Sequence, residues 1–171
     1  MIDLAKKVRA VSNFPIEGIV FRDITTLLQD AEAFRAAIDR LHEQVKDLSV
    51  DVVVGMESRG FIFAAPLAYL LGVGFVPVRK LGKLPSETVS VEYELEYGTN
   101  TLEIHRDAIT SGQRVLVVDD LLATGGTVAA TVDLVRQLGG QVVGTAFLIE
   151  LPDLGGRLRL DGDPVYAVLS F

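Results

Sequence analysis

The chain of 171 residues contains no cysteine, so neither a disulfide framework nor a thiolate zinc site is open to it. With only two histidines, His42 and His105, a histidine-rich transition-metal centre is also disfavoured, and any metal is expected to be a hard ion held by oxygen. No apolar stretch approaches the about 18 residues of a membrane-crossing helix, and the N-terminal "MIDLAKKVRAVSNFP" lacks the apolar core of a secretory signal. These absences lead to the expectation of a soluble, cytoplasmic protein. Positive charge is scarce as well. Sixteen Lys and Arg face 23 Asp and Glu, and the net charge of -7 argues against a broad basic face for non-specific nucleic-acid binding. An anionic substrate would have to be drawn in by a local cationic pocket.

What is present is ordinary globular material, with 49% hydrophobic and 23% charged residues. The length suits one domain that buries roughly 70% of the surface its unfolded chain exposes. No internal repeat, linker or low-complexity tract interrupts it. Phe34, Ile38, Leu41, Val45 and Leu48 recur at helical spacing behind Asp30, a suitable N-cap, and predict an amphipathic helix over 31–48. "VVVG" after Asp51 reads as a strand buried on both faces, and an apolar helical segment over 61–71 follows, with Gly72 as its stop. "GFVPVR", residues 115–118 and "VVGTAFLI" (142–149) read as further strands, with a helix over about 127–138 between the last two. Strand, helix, strand repeats point to an α/β fold with parallel pairing and right-handed crossovers. "VSVEYELEYG" alternates Val89, Val91, Tyr93, Leu95 and Tyr97 with polar residues, as in a half-exposed hairpin or flap beside the main sheet. "KLGKLPSET" before it has few apolar anchors and reads as a mobile loop.

The richest stretch is "VLVVDDLLATGGTVAA", residues 115–130. Ligands of open α/β sheets bind outside the carboxyl ends of the strands, where Asp119 and Asp120 stand. Ala123, Thr124, Gly125, Gly126 and Thr127 let a backbone approach a ligand closely and lead into a helix N-terminus, whose free N–H groups suit a phosphate. No Lys follows the glycines, so this is not a Walker A loop, and their spacing does not meet the dinucleotide fingerprint. Two acids for a vicinal diol beside amides for a phosphate suit a ribose 5-phosphate. An arbitrary pair of acids and pair of glycines would serve as readily to cap a helix and turn the chain.

"VLVVDDLLATGGT" resembles the hallmark of the type I phosphoribosyltransferases: a hydrophobic strand, two acids and a small-residue loop in fixed order. "SNFPIEGIVFRDIT" (12–25), "SRGFIF" (58–63), "RKLGKLP" (79–85) and "YELEYGTNTLEIHRDAI" (93–109) extend the resemblance to the adenine phosphoribosyltransferase family, over most of the chain and thinning after Glu150. The resemblance implies a central, mostly parallel sheet flanked by helices, in a single domain over 1–171 with an N-terminal hood over about 1–30 and a flexible catalytic flap over about 80–105. It implies transfer of ribose 5-phosphate from 5-phosphoribosyl 1-diphosphate to adenine, giving AMP and diphosphate, with Mg²⁺ bound to the donor, and a homodimer.

Carried residue by residue, the resemblance has Asp119 and Asp120 hold the ribose hydroxyls and Ala123 to Thr127 wrap the 5-phosphate. Glu57, Ser58, Arg59 and Gly60 match a turn that offers backbone groups to the diphosphate through a cis peptide, expected at Glu57–Ser58. Arg59 as a lone arginine after a strand would more often be a surface residue, and it is the motif that places it near the base and donor. Arg79, Lys80 and Lys83 form a basic cluster suited to a polyanionic donor or to a solvated loop, and Arg79 and Lys83 are the expected donor ligands. Glu96 and Tyr97 match the closing flap, with Glu96 assisting either the N9 proton or the ribose cation. Val20, through its backbone, with Phe21 and Arg22, matches the adenine-reading hood. Rival readings are a phosphoribosyltransferase for a 6-oxopurine or orotate, a non-enzymatic phosphoribosyl-diphosphate sensor, and a Mg-binding phosphotransfer pocket.

Overall fold

In the computed structural model, residues 2–94 and 98–171 are described. They divide into two compact units, Met1–Arg40 and Leu41–Phe171. The first opens with a 3-10 turn (Ala5–Lys7) and an antiparallel ribbon of β1 (Arg9–Ser12) and β2 (Val20–Asp23), strands that the sequence pattern does not announce. Asp23 ties the ribbon's root to the short helix α1 (Thr25–Gln29): one carboxylate oxygen accepts the Thr25 N–H and hydroxyl at 2.9 and 2.7 Å, the other the Arg9 Nε at 2.9 Å. Those bonds, Thr25's first, hold the Asp23 carboxyl down at about 2. Helix α2 (Ala31–Val45) begins under Asp30, whose Oδ1 accepts the Glu32 and Ala33 N–H groups at 3.1 Å each, the N-cap expected there. It stops three residues short of Leu48, whose N–H turns back to the Val45 carbonyl at 2.9 Å in a tighter i−3 bond.

The second unit is built on a seven-stranded sheet. Its strands are β3 (Val52–Met56), β4 (Gly74–Lys80), β5 (Thr88–Glu94), β6 (Thr99–His105), β7 (Arg114–Leu122), β8 (Gln141–Glu150) and β9 (Val165–Ser170). The order is β5-β6-β4-β3-β7-β8-β9, parallel from β4 to β9 and antiparallel through the β5–β6 hairpin. The hairpin is thus the edge of the sheet itself, joined to β4 at Arg79–Glu103 and Lys80–Leu102, rather than a separate piece beside it.

Helix α3 (Gly60–Leu71) connects β3 to β4, and helix α4 (Gly126–Gln137) connects β7 to β8. The two crossovers leave the central β3–β7 pair in opposite directions, so right-handed connection puts the helices on opposite faces. Alternation along the strands agrees. Val52, Val54, Met56, Val115, Val117 and Phe147 pack with Val128, Val132, Leu134 and Val135 of α4. On the other face, α3 presses so close to β3 that a Cβ on Gly55 would stand 2.6 Å from that of Ala64 and 2.8 Å from the Phe75 ring. All five β3 residues are buried, as a parallel central strand requires. Gly72, at φ 69°, ends α3 in the left-handed cap read from the sequence.

Candidate substrate site

A sheet whose crossovers diverge from two adjacent strands has a crevice between their carboxyl ends. Here those ends belong to β3 and β7. β7 runs on past its neighbour: its last partner on β3 is Val118, facing Gly55, while its pairing with β8 continues to Leu122 and Glu150. Asp119 and Asp120 therefore lie inside the strand rather than just after it, on a stretch that no longer pairs with β3. The sequence places the acids correctly and ends the strand four residues early, because Val118 closes the run of aliphatic residues but not the ladder.

Two adjoining hollows open at this crevice. One, of about 180 Å³, is lined by Arg59, Asp119, Asp120 and the loop from Leu121 through Val128. The other, of about 370 Å³, is lined by Glu57, Ser58, Arg59, Lys80, Asp119, Asp120 and Thr127. The residues they share, Arg59, both acids and Thr127, form the ridge between an amide-lined cradle and a turn that follows β3. The cradle is shaped by Gly125, which caps α4 at φ 83°, a conformation open to glycine at little cost. The free N–H groups and positive end of α4's dipole then face the hollow.

Charges in the crevice are paired across its two walls. Arg59 Nε meets Asp120 Oδ2 at 2.8 Å, and Asp120 is 6% exposed. Asp119 Oδ1 accepts the Asp120 N–H at 2.8 Å. Burial first, and then the charge of Asp120, push the Asp119 carboxyl well above the usual carboxylate range, with Arg59 pulling weakly the other way. Gly60 makes this proximity possible, since a Cβ there would lie 2.7 Å from Asp119 Oδ1 and 3.2 Å from the Val118 carbonyl oxygen. An acid pair of this kind, ready to accept hydrogen bonds from neutral donors, suits the adjacent hydroxyls of a sugar.

The turn after β3 carries a cis peptide at Glu57–Ser58, where the resemblance puts it. Glu57 does not point its charge at a ligand. Its Oε2 accepts the Lys80 N–H at 3.0 Å and the Arg79 Nε at 3.2 Å, and its Oε1 faces Arg79 Nη2 at 3.4 Å. The Lys80 amide first, and then Arg79, hold the Glu57 carboxyl below its ordinary value. Within the basic cluster this divides the labour differently from the expectation: Lys80 lines the hollow, Arg79 is engaged with Glu57, and Lys83 is exposed and outside both linings. Successive side chains of a strand point to opposite sides. The neighbours Arg79 and Lys80 therefore could not both face one ligand, a signal present in the sequence.

Glu96 and Tyr97, with Leu95, fall between β5 and β6 in sequence and lie outside the described residues. The end of β5 and the start of β6 reach the cradle: Tyr93 OH is 3.4 Å from both Thr127 Oγ1 and Asn100 Nδ2. Val20, Phe21 and Arg22 stand on β2 in the first unit, with Val20 47% exposed and the Phe21 ring edge-on to Phe14 at 5.2 Å.

Sequence reasoning passes over one participant. A segment of two 3-10 turns, Pro152–Leu154 and Gly156–Arg159, leans backbone to backbone on the cradle. A Cβ on Gly125 would come within 2.6 Å of the Gly156 carbonyl oxygen, and one on Gly156 would collide with the Ala123 carbonyl oxygen. Arg157 fastens the segment to buried Glu150 through bonds of 2.6 and 2.7 Å. The adjacent Gly155 and Gly156 are its only mark in the sequence.

Among the described residues no helix is long and apolar enough to cross a membrane, and no three or more His, Cys, Asp or Glu side chains gather as a metal cage. Comparison with known proteins agrees with this geometry. The model of the phosphoribosyl transferase domain matches residues 24–166. The adenine phosphoribosyltransferase of Chloroflexus aurantiacus is 60% identical over 169 residues, 99% of this chain and 98% of that one. The crystal structure of adenine phosphoribosyltransferase from Thermoanaerobacter pseudethanolicus superposes with a TM-score of 0.96 at 54% identity, over 98% of both chains. That from Saccharomyces cerevisiae, complexed with an imino-altritol bisphosphate and adenine, superposes with a TM-score of 0.91 at 43% identity, over 96% of both chains. A divided crevice with a paired acid on its ridge and an amide cradle beyond, in a chain so closely matched along its whole length, leads to one assignment: the chain belongs to the adenine phosphoribosyltransferase family of phosphoribosyl transferase domains.

Proposed function

We propose that this enzyme transfers ribose 5-phosphate from 5-phosphoribosyl 1-diphosphate to adenine, giving AMP and diphosphate, the purine-salvage reaction for which its relatives are named. The observation that carries the reading is the ridge of Asp119 and Asp120 between two hollows, one walled by amides and one by Ser58, Arg59 and Lys80. A ribose held on the ridge would put its 5-phosphate in the cradle of Ala123, Thr124, Gly125, Gly126 and Thr127 and its diphosphate toward the turn and Lys80. N9 of adenine then bonds to the anomeric carbon as the bond to diphosphate oxygen breaks, and the N9 proton is lost.

Positive charge grows on the ribose while negative charge grows on the leaving diphosphate, so fixed charge and position do most of the work. The acid pair orients the sugar. Arg59 and Lys80 face the leaving group, with the Arg79–Glu57 pair steadying the turn and Lys83 at the loop's outer side. Among the described residues no third acidic or imidazole ligand gathers with Asp119 and Asp120, a pair suited to Mg²⁺ that would arrive on the diphosphate. When bound, Mg²⁺ supplies charge neutralisation for the leaving diphosphate. Glu96 and Tyr97 form the closing flap that excludes water. The Val20 backbone pairs with adenine N1 and its amine, with Phe21 and Arg22 beside the base. A 6-oxopurine reverses that donor and acceptor pattern, and sites of this kind discriminate by about 10⁴. We take the enzyme to act as a homodimer in the cytoplasm.

The test is product analysis. Protein incubated with 5-phosphoribosyl 1-diphosphate, Mg²⁺ and, in separate vessels, adenine, hypoxanthine, guanine and orotate should form nucleotide from adenine alone, and a chelator should abolish it. Faster turnover of another base would overturn the adenine reading.

A further inference from the structure

Glu103 stands on β6 and is only 3% exposed, yet it lines neither hollow. Its Oε1 accepts three consecutive amides, from Gly82 at 3.1 Å, Lys83 at 3.2 Å and Leu84 at 3.1 Å, and its Oε2 accepts the Thr88 hydroxyl at 3.3 Å. Burying a carboxylate is costly unless donors surround it. Here three of its four donors come from the loop after β4, whose Leu81 is 63% exposed and provides no apolar anchor. The carboxylate is therefore the loop's internal fastening.

The loop hands that order on. The Lys83 carbonyl accepts Arg79 Nη1 at 3.3 Å, and Arg79, the cross-strand partner of Glu103, is the cation that holds Glu57. Glu57 begins the cis turn and also receives the Lys80 amide. A continuous chain of bonds thus runs from Glu103 through amides 82–84, the Lys83 carbonyl, Arg79 and Glu57 to the wall formed by Ser58, Arg59 and Lys80. None of the bonds Glu103 makes reaches β7 or α4, which carry the acids and the phosphate cradle.

We propose that Glu103 is a positioning residue for the diphosphate half of the donor site, acting through the 82–84 loop and the Arg79–Glu57 pair. The inference rests on the phosphoribosyl transfer proposed above. Without the carboxylate, the Gly82 and Leu84 amides lose their acceptor and the Lys83 amide keeps only the Lys80 carbonyl at 3.3 Å, so the Lys83 carbonyl moves off Arg79, and the turn and Lys80 lose a fixed position.

Steady-state kinetics of wild type, Glu103→Ala, Glu103→Gln, Arg79→Ala and the double variant test it, with activity scaled to the folded fraction from thermal melts. Glu103→Ala should raise the donor KM about tenfold, the effect of losing hydrogen bonds to a charged group. It should leave kcat and the adenine KM within about twofold. Glu103→Gln should recover most of the donor KM, since its amide oxygen can accept the same N–H groups and its amide nitrogen can donate to Thr88. In the Arg79→Ala background Glu103→Ala should add little, because the two residues act in one chain. If Glu103→Ala does not fold, Glu103→Asp decides, with a raised donor KM expected from the withdrawn carboxylate. An unchanged donor KM, a loss confined to kcat, or full additivity with Arg79→Ala would overturn the role of Glu103. A wild-type protein that makes no AMP would instead overturn the functional reading.

Discussion

Gly156→Ala should damage phosphate binding although Gly156 touches no substrate in the proposed site. A methyl group there would overlap the Ala123 carbonyl oxygen and lie 2.8 and 3.0 Å from Leu122 Cδ1 and Cγ. Both neighbours belong to the end of β7 and the start of the cradle, and the closest obstacle is backbone, which cannot rotate away. Overpacking of this kind costs about 1–3 kcal/mol. At about 2–4 °C per kcal/mol for a chain of this size, the melting temperature should fall by about 4–8 °C for a mid-range cost. Because the strain falls on the amides proposed to hold the phosphate, affinity for ribose 5-phosphate should fall by about tenfold, read by titration calorimetry. Gly162→Ala is the control. It also lies in the segment after Glu150 and has φ 84°, but a Cβ there meets nothing within 4 Å. It should cost about 1 kcal/mol through backbone conformation alone and leave affinity unchanged. If Gly156→Ala binds ribose 5-phosphate as tightly as wild type, the 152–159 segment does not set the cradle.

Asp119→Asn should raise the melting temperature of the ligand-free protein at neutral pH while weakening ribose 5-phosphate binding. Asp119's raised folded value favours its protonated form, so its contribution to stability is present below the ordinary Asp value and lost as pH rises through the raised one. Asp51 works in the opposite direction. The Arg114 side chain and then its backbone N–H hold Asp51 at about 2, so its stabilisation is present above about 4 and lost as pH falls toward 2. Asp51→Asn should flatten the acid limb of a stability–pH profile over that window, and an unchanged limb would dismiss the pair. Glu96→Gln should lower kcat with little change in the donor KM, measured by steady-state kinetics, and an unaltered kcat would remove Glu96 from catalysis.

The central sheet was legible because its strands are short aliphatic runs bounded by glycine and acid, a pattern that both-face burial imposes. Residues 52–56 and 142–149 show it, as does the α3 stop at Gly72. β1 and β2 were not, since none of their residues is fully buried and they rely on cross-strand bonds such as Arg9 to Asp23 rather than on an apolar face. The acid pair and cradle were legible because all their parts are contiguous. The buttress at Gly156 and the fastening at Glu103 were not, since each acts on a segment distant in sequence through backbone atoms, which leave no side-chain pattern. Likewise the anchor of the 81–87 loop is a carboxylate sixteen or more residues downstream, so an absence of apolar residues read as freedom where hydrogen bonds supply order.

A crystal structure of the protein with ribose 5-phosphate tests most directly whether acids and amides grip two ends of one molecule. The phosphate should lie on the N–H groups of residues 123–127, with the 2- and 3-hydroxyls on Asp119 and Asp120. A phosphate seated instead against Arg59 and Lys80, or a ribose whose hydroxyls face away from both acids, would contradict it.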